Sequence, residues 1–485
     1  MLETVNKKYL ACILFTASVL IFARTIQYDA VWDDARVHFN PANQVKMDQD
    51  VSAFWTENSG MYIPLTYTTW ALVKQFFSAG NFNPAPFHLL NVITHSINAV
   101  LLFYLLLLLF KNKTAAFFGG VLFLVHPIQV ESIAWISEFR GLYSTFFCLI
   151  SLLLFFKQQE TGKNQLFFSK GYWLALVFYI LALLAKPSGI VLPLIILVLS
   201  WRYYKEQLNQ VAKLLLTWLL PAVIFIFLLM VKNPESNVSF VQRFLIAGYT
   251  LFFYIQKIIV PYPLVACYGY TPAVVAANFF SSIAFILCIS IFILLIIKRN
   301  KFPDVFTAFL LVFICVLPVL GFIPFAYQAH STVADRYAYM ALIGPAMLLP
   351  SVVKRVQIKP FLKSGLIAFL IAFAAITIRQ TSTWKNEFTL WDHTLKFYDN
   401  SSTVYYDRGV QYSLKGNFSN AIADYTRALA LKPDNLDALF NRANAYENRN
   451  ELNAAFNDYA VYLKINSKDG SVYYKRSYSF YKTGK

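Results

Sequence analysis

Two adjacent carboxylates, Asp33 and Asp34, follow Trp32 in the stretch from Asp29 to Arg36. A carboxylate pair beside an aromatic ring, just past an apolar segment, suits a general base or a cation site acting on a substrate at a bilayer edge. A solvated acidic loop fits the same residues. A second ionisable group, His126, Glu131, Glu138 and Arg140, occupies the stretch from His126 to Gly141, directly after an apolar run. Charges so near bilayer depth cost free energy; they mark a substrate path or pair with one another in the interface. Lys186, in the turn Ala185–Gly189, and Arg336, in Ala334–Tyr337, are cations on turns that join apolar segments. A lipid phosphate opposite them would account for both, with Asp335 orienting the planar fork of Arg336. A snorkelling lysine and a local Asp335–Arg336 pair are the structural alternatives.

His88, Asn91, His95 and Asn98 recur at i, i+3, i+7 and i+10 and draw one polar stripe down an apolar helix. The two histidines stand about 10 Å apart along such a helix, too far to share a metal ion. Hydrogen bonding between helices is their expected role, contact with a donor lipid the alternative. The chain carries no Walker loop, no GxGxxG after a strand and no nucleophile elbow, so nucleotide-driven chemistry has no support.

The elements that must position these residues are membrane helices. Of 485 residues 58% are hydrophobic and only 14% charged, which excludes an ordinary soluble chain of this length. Apolar runs of spanning length occur at roughly 9–25, 89–110, 114–132, 141–156, 172–185, 188–201, 213–231, 275–297, 304–323, 337–353 and 361–378. The expectation is an all-α polytopic bundle of about 11 spans. The stretch 243–260, interrupted by Gln256 and Lys257, reads as one further re-entrant or interfacial helix. The first run follows Lys7 and Lys8, has no small-residue cleavage site, and reads as an anchor.

The net charge is +17, which in a soluble protein would suggest nucleic acid. Here 17 Lys and Arg residues against four acids crowd alternate turns, so the excess is a topology signal and nucleic acid is not an expected partner. The positive-inside rule puts that side, with the N-terminus, in the cytoplasm. Asp33/Asp34, His126–Arg140, Lys186, Tyr262–Pro272 and Asp335–Arg336 then share the outer face. Five cysteines, none in a metal-binding spacing, imply neither disulfides nor zinc.

From about Asn400 the chain turns polar and repeats every 34 residues. Tyr405, Gly409, Tyr412, Ala421, Tyr425 and Ala428 are followed by Leu439, Ala443, Tyr446, Ala455 and Tyr459, then by Tyr473, Ser477 and Phe480. This is the tetratricopeptide (TPR) pattern, an α-helical solenoid whose concave face engages peptides or proteins. Two repeats are full and the third stops near Gly484, which reads as a truncated array.

The ordered set WDD, PLT (Pro64–Thr66), FHLLNVITH (Phe87–His95), HPIQVESIAW (His126–Trp135), AKPSG (Ala185–Gly189) and ADRYAY (Ala334–Tyr339), followed by TPR units, resembles the transmembrane and TPR-containing O-mannosyltransferases. It is similar to their bacterial relatives within the GT-C superfamily of polyprenyl-phosphate-sugar-dependent glycosyltransferases. The resemblance implies a GT-C-type domain over 1–380 with an extracytoplasmic first loop at 26–88, a connector at 381–399 and TPR repeats at 400–485. It implies transfer of a sugar, mannose in the named family, from a polyprenyl-phosphate donor to a hydroxyl of an exported protein that the TPR repeats engage. Asp33 or Asp34 would be the catalytic base. His126, Glu131, Arg140, Lys186, Asp335 and Arg336 would bind the donor phosphate or sugar, with His88 and His95 behind them. A divalent metal ion is the one cofactor candidate. The bacterial-type motifs imply a bacterial inner membrane, with the TPR region outside the cytoplasm. The sequence departs from the family at Glu138-Phe-Arg-Gly141, where relatives often read ERKD, and at Ile63, where they often have Arg or His. Either change implies a different sugar or phosphate geometry, or reduced activity. A membrane-anchored TPR scaffold without catalysis is the competing function, and a lipid-linked sugar transporter ranks behind it, because no matching broken helices appear in two halves.

Overall fold

The computed structural model describes residues 2–34, 51–56, 61–77, 82–160, 169–230, 238–356 and 360–482. Among them there are helices and turns but no strand. Arg36, much of the first loop and the last residues, Gly484 and Lys485, lie outside the described residues. The chain forms two compact units: residues 1–264 with 272–385, and residues 265–271 with 386–485.

The first unit is a bundle of apolar helices. Six are long and apolar enough to cross a membrane: Lys7–Gln27, Ala85–Phe110, Ile136–Glu160, Lys205–Leu228, Phe279–Lys298 and Phe361–Trp384. Lys113–Val125 and Pro127–Ala134 add a seventh if they count as one span, bent by 52° where His126 meets Pro127. Proline has no N–H to continue the ladder, and the His126 ring takes over by accepting from the backbone N–H of Ile128 at 3.3 Å. Three more of the eleven runs are shorter apolar helices, Lys170–Ala185, Pro187–Tyr203 and Pro303–Val319.

The run at 337–353 is not a single helix. It breaks into the short turns Asp335–Ala338, Met340–Leu342 and Ile343–Ala346 before the helix Leu349–Val356. Pro345 and Pro350 remove ladder donors from an otherwise apolar stretch, so hydrophobicity alone overstated its regularity. The interrupted stretch at 243–260 belongs to one helix, Phe240–Ile259, with Val260 as its C-cap and Ser239 capping its start by a reciprocal bond with Gln242. Its buried residues, from Ile246 to Lys257, line one face. Gly248 lets this helix approach Phe279–Lys298 closely, since any Cβ there would meet the Phe285 backbone.

Polar pins hold the apolar helices in register. Asn91 donates through Nδ2 to the carbonyls of Ile133 (3.1 Å) and Trp135 (2.9 Å). Asn98 donates to Leu142 O (2.9 Å) and to the hydroxyl of Tyr339 (3.1 Å). His95 Nδ1 lies 2.8 Å from that hydroxyl, and Nε2 faces Leu124 O at 3.4 Å. His88 is buried beneath the backbone of Tyr28 and Asp29. The stripe of Ala85–Phe110 therefore works between helices: it fixes the His126–Gly141 segment and the Tyr337–Tyr339 turn, the two walls of the candidate site.

The second unit stacks antiparallel helices: Ser402–Leu414 on Phe418–Leu431, then Leu436–Asn448 on Leu452–Ile465, then Gly470–Lys482. The segment 381–399 carries a helix of its own, Glu387–Phe397. Asn417 and Asn435 cap successive helices through their side chains. A bidentate ion pair repeats with the 34-residue period: Arg408 on Asp424 (2.8 Å, 2.8 Å) and Arg442 on Asp458 (2.7 Å, 2.7 Å). At Gly409 a Cβ would collide with the ring of Tyr425, which is why the repeat keeps a small residue there.

Candidate active site

The loop after the first helix is fastened through Asp34. This carboxylate is fully buried and accepts from the Ser137 backbone N–H at 2.9 Å, from the Ser137 hydroxyl, and from the Val31 N–H at 3.4 Å. Burial pushes its carboxyl up to about 7, against the three donors, which favour the charged form. Asp33 is only half-buried. The two adjacent acids thus divide: Asp34 is committed to the turn Ile136–Glu138, and Asp33 is the one that remains accessible. Trp32 adopts a left-handed backbone, φ +57°, at a cost of about 1–3 kcal/mol. Its ring stacks on Trp135, centroids 4.9 Å apart and 18° between planes, which offsets part of that cost.

Glu131 and Arg336, 205 residues apart in sequence, form a buried pair. The Arg336 backbone N–H donates to Glu131 Oε2 at 2.8 Å, and its Nη1 to Oε1. Four rings surround the guanidinium carbon: Tyr327 at 4.1 Å, Tyr337 at 4.9 Å, Trp135 at 5.1 Å and Trp32 at 5.6 Å from their centroids. The expectation that Asp335 orients Arg336 is therefore corrected: Glu131 does so. The Asp335 carboxylate is instead felt by Lys257, whose Nζ donates to Pro263 O at 2.6 Å.

His126 is also reassigned. Its Nε2 donates to Ile258 O at 2.9 Å while Nδ1 accepts from Ile128. With both ring nitrogens bonded to backbone, His126 positions the helix Phe240–Ile259 and has no nitrogen left for a donor sugar or phosphate.

One residue beyond Ser137, Glu138 gathers two cations. Lys186 Nζ bonds its Oε1, and Arg140 Nε lies 3.4 Å from Oε2. Gly141 makes this possible, because a Cβ there would overlap the Glu138 carboxylate and crowd Lys186. The Lys186 turn is itself held by Thr66, whose hydroxyl donates to Ala185 O at 2.9 Å, and by Ser144, which donates to Lys186 O at 3.2 Å. A cavity of about 40 Å³ opens between Glu138, Ser144, Lys186, Ser188, Arg336 and Tyr337.

Across this network Arg140, Lys186 and Arg336 face Glu131 and Glu138, with Asp34 a third acid bonded to the same turn at Ser137. Side-chain exposure decides which cations are free to meet a ligand: Arg140 at 15% and Lys186 at 13%, against Arg336 at 3%. Among the described residues no three His, Cys, Asp or Glu side chains converge to hold a metal ion. Asp34, Glu131 and Glu138 are each bonded to hydrogen-bond donors or cations, whereas Asp33 is half-buried.

Of the residues singled out in the sequence, Asp34, Glu131, Arg140, Lys186 and Arg336 join one network, Asp33 precedes Asp34 on the loop, and His88 and His95 lie on the helix that pins it. Ser137, Thr66, Lys257, Tyr327 and Tyr337 had no assigned role in the sequence. Thr66 and Tyr337 carried a signal, as members of the PLT and ADRYAY motifs, and Lys257 one as a charge interrupting an apolar stretch.

Comparison with known proteins identifies a TPR repeat at residues 409–450. Over 453 residues, 87% of this chain and 62% of the other, it is 22% identical to the protein O-mannosyl-transferase F38B6.6 of Caenorhabditis elegans. It is likewise 22% identical over 456 residues to the protein O-mannosyl-transferase TMTC3 of Mus musculus, covering 82% of this chain and 47% of that one. A shorter stretch of 157 residues, 30% of this chain and 17% of the other, is 33% identical to the protein O-mannosyl-transferase TMTC1 of Homo sapiens. The chain spans less than two thirds of the length of each of these relatives. It is a multi-pass membrane protein similar, over most of its own length, to proteins that bear this name.

Proposed function

We propose that the chain is an integral membrane glycosyltransferase that moves a sugar, mannose by its relatives' names, from a polyprenyl-phosphate donor to a Ser/Thr hydroxyl of an exported protein. The observation that carries this reading is a buried cluster in which Arg140 and Lys186 are the more exposed cations, joined through the turn Ile136–Glu138 to the Asp33–Asp34 loop, where Asp33 is the more accessible acid. Asp33 takes the proton of the acceptor hydroxyl as its oxygen bonds to the anomeric carbon. The bond from that carbon to the phosphate oxygen breaks in the same displacement, its electron pair leaves with the lipid phosphate, and configuration inverts. Lys186 and Arg140 stand to neutralise the departing phosphate, and Arg336 with Glu131 holds the aromatic wall behind them. The charge asymmetry of the turns supports a cytoplasmic N-terminus and a reaction on the opposite face of a bacterial inner membrane, with the TPR region there to engage the acceptor.

Membranes containing the protein, radiolabelled polyprenyl-phosphate mannose and a lysate of envelope proteins test the proposal. Label should enter protein with the wild type, and Asp33→Asn should lower the rate by about 10²–10⁴-fold. Full activity in Asp33→Asn overturns the assignment of the base. If no label moves and residues 400–485 alone account for the protein's effect in cells, the scaffold reading replaces the enzyme.

A further inference from the structure

At the far end of the helix Ala85–Phe110 from the candidate active site, a cleft of about 680 Å³ opens between that helix and Phe139–Glu160, with Lys7 at its edge. Its walls are two helical stripes. Leu101, Tyr104, Leu108 and Lys111 face it from one helix, and Ile150, Leu154 and Lys157 from the other. Both stripes run from apolar to basic: at 1.5 Å per residue the apolar wall extends about 15 Å inward from Lys111. The three lysines at the mouth are exposed and, among the described residues that line it, face one acid, Glu160, 3.7 Å from Lys111, which leaves two positive charges. The mouth lies about 35 Å along the helix from His88, so the cleft is separate from the candidate active site and independent of the proposed reaction.

We propose that this cleft binds an anionic glycerophospholipid, its phosphate among Lys7, Lys111 and Lys157 and its acyl chains along the leucine-lined walls. Charge complementarity selects the headgroup: a zwitterionic lipid brings its own cation to a mouth that already has two in excess. The depth of the apolar stripe selects a membrane lipid over a free phosphate, which would leave the walls uncovered.

The full chain in nanodiscs, read by native mass spectrometry with phosphatidylglycerol and phosphatidylcholine as competing probes, decides the matter. The wild type should retain phosphatidylglycerol preferentially, and Lys111→Gln and Lys157→Gln should each lower that preference by about fivefold. Glu160→Gln should raise it, a change of opposite sign that misfolding does not produce. Lys298→Gln with Lys301→Gln, basic residues on another helix end, should leave it within about twofold, since exposed charges outside a site contribute little. The absence of a preference in the wild type, or an equal loss in the Lys298/Lys301 variant, overturns the proposal. Inorganic phosphate displacing the lipid at concentrations near its own would equally overturn it, by showing that the walls contribute nothing.

Discussion

Replacing Asp34 by Asn separates positioning from catalysis and has a sign that depends on pH. In the unfolded chain this carboxyl titrates near 3.8, and in the fold burial raises it to about 7. Over that window the folded protein holds a proton the unfolded chain has already released, so the group's contribution to stability falls as pH rises and levels off above about 7. The shift corresponds to about 4 kcal/mol between pH 4 and pH 8. Asn cannot ionise, keeps an acceptor for Ser137, and loses only the long bond from Val31. Thermal unfolding in detergent, compared between wild type and Asp34→Asn at pH 4.5 and 7.5, should show the wild type losing about 5 °C relative to the variant as pH rises. Sugar transfer by Asp34→Asn should stay within about tenfold of wild type, because the accessible acid is untouched, whereas Asp33→Asn should lose about 10²-fold or more. Parallel melting curves across pH, or an inactive Asp34→Asn beside an active Asp33→Asn, would refute the division of labour.

The Glu131–Arg336 pair predicts strong coupling. Glu131→Gln and Arg336→Met should each destabilise by about 3–5 kcal/mol by stranding a buried partner, while the double variant costs less than the sum; additive losses in thermal or denaturant unfolding would contradict the pair. Gly141→Ala forces the Glu138 carboxylate off Lys186, and the loss of a charge-assisted bond worth about 1.5–3 kcal/mol should slow the proposed sugar transfer by roughly 10–100-fold. Unchanged transfer by this variant would show that the Glu138–Lys186 contact has no part in the reaction. In the TPR unit, Arg442→Ala leaves Asp458 without its bidentate partner and should speed proteolytic cleavage within residues 436–465 of the full chain. Arg449→Ala, whose pair with Glu451 is exposed on both sides, should not.

The helical stripe His88, Asn91, His95 and Asn98 shows how much of the fold is legible in the sequence. Its spacing requires one face, and an apolar environment favours hydrogen-bond partners for that face; for Asn91, His95 and Asn98 the structure supplies them as the carbonyls of Ile133, Trp135 and Leu142 and the Tyr339 hydroxyl. The TPR register was legible for the same reason, since Gly409, Tyr425 and their counterparts at 34-residue spacing report contacts between adjacent helices. Span regularity was less so. A window of hydropathy over 337–353 cannot weigh Pro345 and Pro350 against the apolar residues around them, and the segment breaks into short turns.

The site was legible as a set of residues but not as a set of contacts. Asp33 and Asp34 are indistinguishable in a WDD triplet; only the approach of Ser137, about a hundred residues on, commits one and leaves the other accessible. Arg336 has an acid beside it in sequence yet pairs with Glu131, and His126 sits in a motif rich in ionisable groups yet spends both nitrogens on backbone. By itself, then, the sequence determined helix periodicity, membrane character and the solenoid repeat, because each depends on residues within a turn or a repeat of one another. Tertiary structure decided which charges meet, because in a low-dielectric interior a buried charge takes whichever partner the packing brings within hydrogen-bond reach, and that choice is made between helices far apart in the chain.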